Sequence, residues 1–194
     1  MRDIECVIVR EIATRARIEL LLHALAKTAP SPTTVYLVGG TTAVLVGWRD
    51  TTRDVDMIMR PEHDAMLRAI PALKEQLSIN VEFAAPDQFI PVPKGWESRS
   101  PLVAQYGALT VRHYDLTAQA LAKIERGHVR DLNDVRAMLD AGLVTPDSLR
   151  TTYDQAASDL YRYPAVDPVS YRAALEALLA DMIEPLGNAA PESR

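Results

Sequence analysis

Cysteine is almost absent from this chain: Cys6 is the single one in 194 residues, so neither an internal disulfide framework nor a cysteine-rich zinc site can form. Histidine is sparse too. His23, His63, His113 and His128 stand at no ligand spacing, which leaves zinc hydrolase and Ser-His-Asp chemistry without support. No stretch approaches the roughly 20 uninterrupted apolar residues of a membrane-spanning helix, so no membrane partner is expected. Asp3 and Glu5 stand where an export signal would be basic, and the expected location is the reducing cytoplasm. A Walker lysine loop, a GxGxxG turn, internal repeats and low-complexity tracts are all missing.

What is present is ordinary globular composition, 48% hydrophobic and 24% charged, in a length that suits one domain or a small catalytic core with a helical extension. A net charge of -5 argues against a protein that coats nucleic acid by bulk attraction. Residues 151–194 carry -4 of it and residues 1–150 only -1, so a local basic surface for a phosphate-rich substrate stays compatible with the sequence. Charge neither requires nor excludes an RNA partner.

The informative stretch is residues 35–59. A β-branched run, Val35 to Val38, stops at Gly39-Gly40, passes into a small apolar helix from Thr41 to Trp48, and returns through Asp54-Val55-Asp56 into Met57, Ile58 and Met59. Successive strand side chains point to opposite faces, so Asp54 and Asp56 share one. Two carboxylates on one face of an apolar strand repel each other. A divalent cation removes that cost, and hard oxygen ligands completed by substrate phosphates are what Mg²⁺ takes. The glycine turn lets backbone N–H groups face a phosphate with no Cβ in the way. The same pattern also suits a common βα connection that binds a nucleotide without reaction.

These residues, Gly39-Gly40-Thr41 followed by Thr52-Arg53-Asp54-Val55-Asp56, resemble the nucleotidyltransferase superfamily, marked by a GG or GS turn and a later DxD. Within it the chain resembles the minimal AbiEii and MenT type, toxins of toxin-antitoxin pairs. A second stretch is similar to the later AbiEii-type motif of lysine, arginine and RDxxD: Lys123 and Arg126 lie three apart near the end of one expected helix, Asp131 and Asp134 three apart on the next. A plain helical hairpin with surface ion pairs would read the same way.

The resemblance implies an α/β (α+β) nucleotidyltransferase fold, a small mixed sheet flanked by helices with a helical C-terminal part. Its expected divisions are a core at 1–114, helices at 115–186 and a frayed tail at 187–194. It implies that Asp54 and Asp56 hold Mg²⁺ or Mn²⁺, and that Glu82, in the run Ile79 to Phe83, acts on an attacking hydroxyl. Gly39, Gly40, Thr41, Thr52 and Arg53 would cradle the phosphates of a nucleoside triphosphate, while Lys123, Arg126 and Asp131 serve the triphosphate from the second motif. Transfer of a nucleoside monophosphate to the 3′ end of tRNA, restrained by an antitoxin, is the implied activity. The alternatives are a small-molecule or protein acceptor and a non-catalytic nucleotide-binding module.

Elsewhere, Ile18, Leu21, Leu22 and Leu25 mark a helix face within 10–28, and Pro61 is expected to open a helix that Pro71 kinks or splits. Residues 84–101 read as an ordered surface loop in which Trp96, between Lys94 and Arg99, can stack on a base or pack the loop down. Leu102 to Tyr114 reads as a hairpin about Gly107, and two helical stretches fill Pro146 to Leu186. Arg49 or Arg53 can hold a phosphate or neutralise the carboxylates.

Overall fold

The computed structural model describes residues 12–183. Asp3, Glu5, Cys6 and the tail expected to fray at 187–194 lie outside the described residues. Two compact units emerge, one from residues 12–85 and Trp96–Asp115, the other from Pro86–Gly95 and residues 116–183. Among the described residues no helix is long and apolar enough to cross a membrane.

The first unit opens with a short strand β1 (Ala13–Thr14) and helix α1 (Arg15–Ala26), which buries the expected stripe Ile18, Leu21, Leu22 and Leu25. Strand β2 (Thr33–Leu37) leads into α2 (Gly39–Val46), and β3 (Thr51–Thr52) returns antiparallel to β1. Then come β4 (Asp54–Arg60), α3 (Asp64–Gln76) and β5 (Asn80–Phe83). After a one-turn helix α4 (Trp96–Arg99), strands β6 (Leu102–Tyr106) and β7 (Leu109–His113) form the expected hairpin about Gly107.

The main sheet has the order β5-β4-β2-β7-β6. It is mixed: β2 runs antiparallel to β4 but parallel to β7, and β4 runs parallel to β5. One face is apolar. Val35, Leu37, Val55, Met57, Met59, Val81, Leu109 and Val111 pack against α1, against Met66, Ile70 and Leu73 of α3, and against Val44 of α2. A fully buried aliphatic side chain of this kind contributes roughly 1.5–3 kcal/mol. Period-2 alternation therefore sends Asp54, Asp56 and Glu82 to the opposite face.

Three local expectations are corrected. Pro61 does not open a helix; α3 starts at Asp64 after His63, whose Nε2 lies 3.1 Å from Ser31 Oγ. The same helix runs unbroken through Pro71, since the buried stripe Met66, Ile70 and Leu73 outweighs one lost backbone bond. Residues 84–101 are not a single loop: Pro86–Gln88 forms a 3-10 turn of the second unit, while Trp96 belongs to the first. There Trp96 stacks on Tyr114 at 4.1 Å between ring centroids and meets the edge of Tyr36, while Arg99 donates to Asp115 at 2.7 Å, so α4 is fastened to the sheet.

The second unit is helical, built from α5 (Leu116–Arg126), α6 (Val129–Asp140), α7 (Pro146–Ala157) and α8 (Pro168–Ile183). Thr145 caps α7 through a reciprocal pair of hydrogen bonds with Ser148, with Pro146 in the first turn. Buried Leu149, Tyr153, Tyr171, Leu175 and Leu179 fill this unit, and Tyr163 donates its hydroxyl to the Asp87 carbonyl at 2.8 Å.

Candidate active site

Helix α2 begins at the glycines themselves rather than after them, because Val38 stays extended and Gly39 adopts a φ of +57° that other residues disfavour. The first turn is fastened to β4 at Asp56. The Val38 N–H donates to the Asp56 carbonyl at 3.0 Å, and the Asp56 N–H donates to the Thr41 hydroxyl at 2.8 Å. Thr42 donates to the Leu37 carbonyl at 3.0 Å. At the far end, Arg15 Nη2 donates to the carbonyls of Val44 and Leu45, where a cation complements the helix dipole.

At both glycines an added Cβ would force a neighbouring side chain to move. A Cβ on Gly39 would lie 2.8 Å from Asp56 Oδ2, and one on Gly40 would lie 2.1 Å from Thr52 Oγ1 and 3.6 Å from Arg49 Nη1. The turn therefore packs closely against one DxD carboxylate and the buried Thr52, with the Arg49 guanidinium nearby. Gly40→Ala is expected to cost about 1–3 kcal/mol, as overpacking does. Thermal unfolding checks this, and Thr52→Gly in the same chain should recover part of the loss.

Strand pairing completes the acidic group. In the parallel β4–β5 register Asp54 faces Asn80 and Asp56 faces Glu82, with neighbouring strands about 4.8 Å apart. Asp54 and Asp56 are half-buried and Glu82 is exposed on the edge strand. Asn80 Nδ2 lies 2.7 Å from Asp54 Oδ1 and 3.2 Å from Glu82 Oε1. Arg53 is exposed at the turn into β4. Among the described residues no three His, Cys, Asp or Glu side chains form a ready-made metal cage. The donor set nevertheless fits Mg²⁺ or Mn²⁺, which bind through one or two carboxylates plus waters and substrate phosphates. The missing Cβ of Gly39 lets Asp56 Oδ2 approach the first turn of α2 more closely than a side chain would allow.

In the second unit, the other sequence motif forms an ion network in which Lys123, Asp131 and Asp134 are buried and Arg126 is exposed. Lys123 Nζ donates to Asp131 Oδ1 at 3.0 Å and to Asp134 Oδ2 at 2.6 Å, while Arg126 grips both Asp131 oxygens at 2.8 Å. Burial pushes the Asp131 carboxyl upward, but hydrogen bonds from Arg126 and Lys123 outweigh it and hold its pKa below the ordinary value. The cations and carboxylates tie α5 to α6 across Gly127 and His128.

A family model described as a nucleotidyltransferase of unknown function, DUF6036, matches residues 16–173. The chain belongs to this family. No curated protein and no solved structure matches it. The matched span of this DUF6036 nucleotidyltransferase includes the glycine turn, the DxD strand, Glu82 and the Lys123–Asp134 hairpin.

For the DUF6036 chain, sequence reasoning picked out the carboxylates but not Asn80, whose only local signal is its place two residues before Glu82. It also missed His113. That side chain is buried with Nδ1 3.2 Å from Thr42 Oγ1, and because the Thr42 proton goes to Leu37, the imidazole is the donor there. Burial, reinforced by the Arg15 charge, lowers the His113 pKa from 6.5 to about 4. The folded state thus resists a proton that the unfolded chain accepts below pH 6.5. Its stabilising contribution is complete above that pH and is lost as pH falls towards 4. At about 1.4 kcal/mol per pH unit the loss reaches roughly 3 kcal/mol. Denaturant titrations between pH 7 and 4 should show it in the native protein and not in His113→Gln.

Proposed function

We propose that this protein transfers a nucleoside monophosphate from a nucleoside triphosphate to a hydroxyl acceptor, with a divalent cation held by Asp54 and Asp56. The observation that carries this reading is the placement of Gly39 against Asp56 Oδ2, with Asp54, Asp56 and Glu82 on adjacent registers of one sheet face. The N-terminal turn of α2 faces phosphate oxygens with its backbone dipoles. Glu82 accepts the proton of the attacking hydroxyl. The acceptor oxygen bonds to the α-phosphorus as the bond to pyrophosphate breaks. Mg²⁺ or Mn²⁺ bound there supplies charge neutralisation for the triphosphate and for the entering and leaving oxygens. Thr41 supports the site through its contact with the Asp56 N–H. A triphosphate role for Lys123 would require its ammonium to leave Asp131 or Asp134.

The resemblance to AbiEii and MenT enzymes makes the 3′ end of tRNA the acceptor to test first, and a toxin with a protein antitoxin the biological role. Purified protein is incubated with total tRNA, a divalent cation and each labelled nucleoside triphosphate, beside Asp56→Asn. Label on tRNA from the native protein alone is the expected result. Label on a small molecule or protein instead would keep the transfer reading and replace the acceptor. No label on any acceptor class would overturn the enzyme reading in favour of nucleotide binding alone.

A further inference from the structure

Glu82 presents a physical difficulty. It is exposed, and it sits on β5, which among the described residues is an edge strand paired only with β4. A glutamate there has several free torsions and two like charges for neighbours, Asp56 across the register and Asp54 one pleat away. Left alone, its carboxylate gains by swinging into water, away from the other two. A carboxylate that must meet a reacting hydroxyl needs a fixed direction.

Asn80 answers that difficulty. It shares Glu82's face, two residues earlier on β5, and stands in register with Asp54. An amide nitrogen carries two hydrogens. The Asn80 Nδ2 lies within reach of one oxygen on each neighbour, 2.7 Å from Asp54 Oδ1 and 3.2 Å from Glu82 Oε1. Hydrogen bonds to ionised acceptors are stronger than neutral ones. The clamp is also neutral. A lysine here would hold both carboxylates but compete with a cation, and an aspartate would add repulsion. The amide ties one oxygen of each and leaves the second outside the tie.

We propose that Asn80 is a positioning residue of the carboxylate group, whose amide ties Glu82 to Asp54 and so holds an edge-strand glutamate beside the DxD pair. The inference rests on the nucleotidyl-transfer reading for its consequence but not for its physical content, and the test separates the two. Thermal unfolding with and without Mn²⁺ is measured for the native protein and for the isosteric Asn80→Asp, which exchanges the two donors for a further carboxylate. Asn80→Asp is expected to unfold several degrees lower without metal, and Mn²⁺ is expected to raise its Tm by more than it raises the native one, because the cation relieves the added repulsion. Asn80→Leu, of similar volume and without the added charge, is run beside it: loss of the tie alone should move its Mn²⁺ shift away from the native value, whereas a side chain that merely packs leaves that shift at the native value.

The kinetic arm uses Asn80→Ala, Glu82→Gln and their combination. Asn80→Ala should lower kcat tenfold or more with the nucleotide KM within twofold. The double variant should lose less than the product of the two single losses, since the hold of Asn80 on Glu82 no longer counts once that carboxylate is gone. An Asn80→Leu Mn²⁺ shift equal to the native one, or kinetic losses that multiply, overturn the role of Asn80. If the native protein labels an acceptor while Asn80→Ala is equally fast, the inference fails and the transfer reading stands. If nothing is labelled, the transfer reading fails and the Mn²⁺ arm alone decides the inference.

Discussion

Asp56→Asn is expected to abolish nucleotidyl transfer, lowering the rate by at least about a thousandfold, since cation-assisted charge stabilisation supplies several kcal/mol and each tenfold in rate is about 1.4 kcal/mol. The substitution keeps the volume of the side chain, which matters because Gly39 packs against its Oδ2. It also leaves the Asp56 backbone bonds to Val38 and Thr41 in place. The fold should therefore survive, and the metal-free Tm should be unchanged or higher because one of several clustered like charges is gone. Asp54→Asn should behave alike in activity. Labelled transfer and thermal unfolding, run on the same preparations, check both halves. Full activity in either variant would be incompatible with the proposed mechanism.

The largest expected change in stability comes from the second unit. In Lys123→Met the ammonium that joins Asp131 and Asp134 disappears, and two buried carboxylates are left with Arg126 alone on one of them. Breaking a buried pair from one side costs about 3–5 kcal/mol. In a chain of this size that corresponds to a Tm lower by on the order of 10 °C. The pH dependence should change sign as well. In the native protein Asp131 has a lowered pKa, so its contribution is complete above 3.8 and is lost as acid protonates it. In Lys123→Met the buried carboxylates are strained when charged, and mild acid should narrow the deficit instead of widening it. Replacing Asp131 and Asp134 by asparagine in the same background should recover much of the loss. A Tm within about 2 °C of the native value would show that the network contributes little.

Legibility in the sequence followed a simple division. Strand alternation placed Asp54 and Asp56 on one face, helical periodicity picked the buried stripe of α1, and three-residue spacings put Lys123 with Arg126 and Asp131 with Asp134. All of these are local, set by the geometry of one strand or one helix. Glu82 was legible as an acid between hydrophobics, but not its neighbour. Its opposition to Asp56, and Asn80's to Asp54, follow from the β4–β5 register, which pairs residues far apart in sequence. Burial of Thr41, with its hydroxyl turned to the Asp56 N–H, and of His113 under Thr42 likewise depends on where α2 docks.

The sequence by itself therefore determined which side chains are acidic, which face of its own element each occupies, and where glycine permits a close approach. Tertiary structure decided which strand lies beside which, that α2 starts at Gly39, that Trp96 and Pro86–Gly95 belong to different units, and that Lys123 is buried between two carboxylates. The physical reason is that periodicity specifies an orientation relative to one's own backbone, whereas a partner is chosen by burial and hydrogen bonding summed over distant segments, and no local pattern contains that sum.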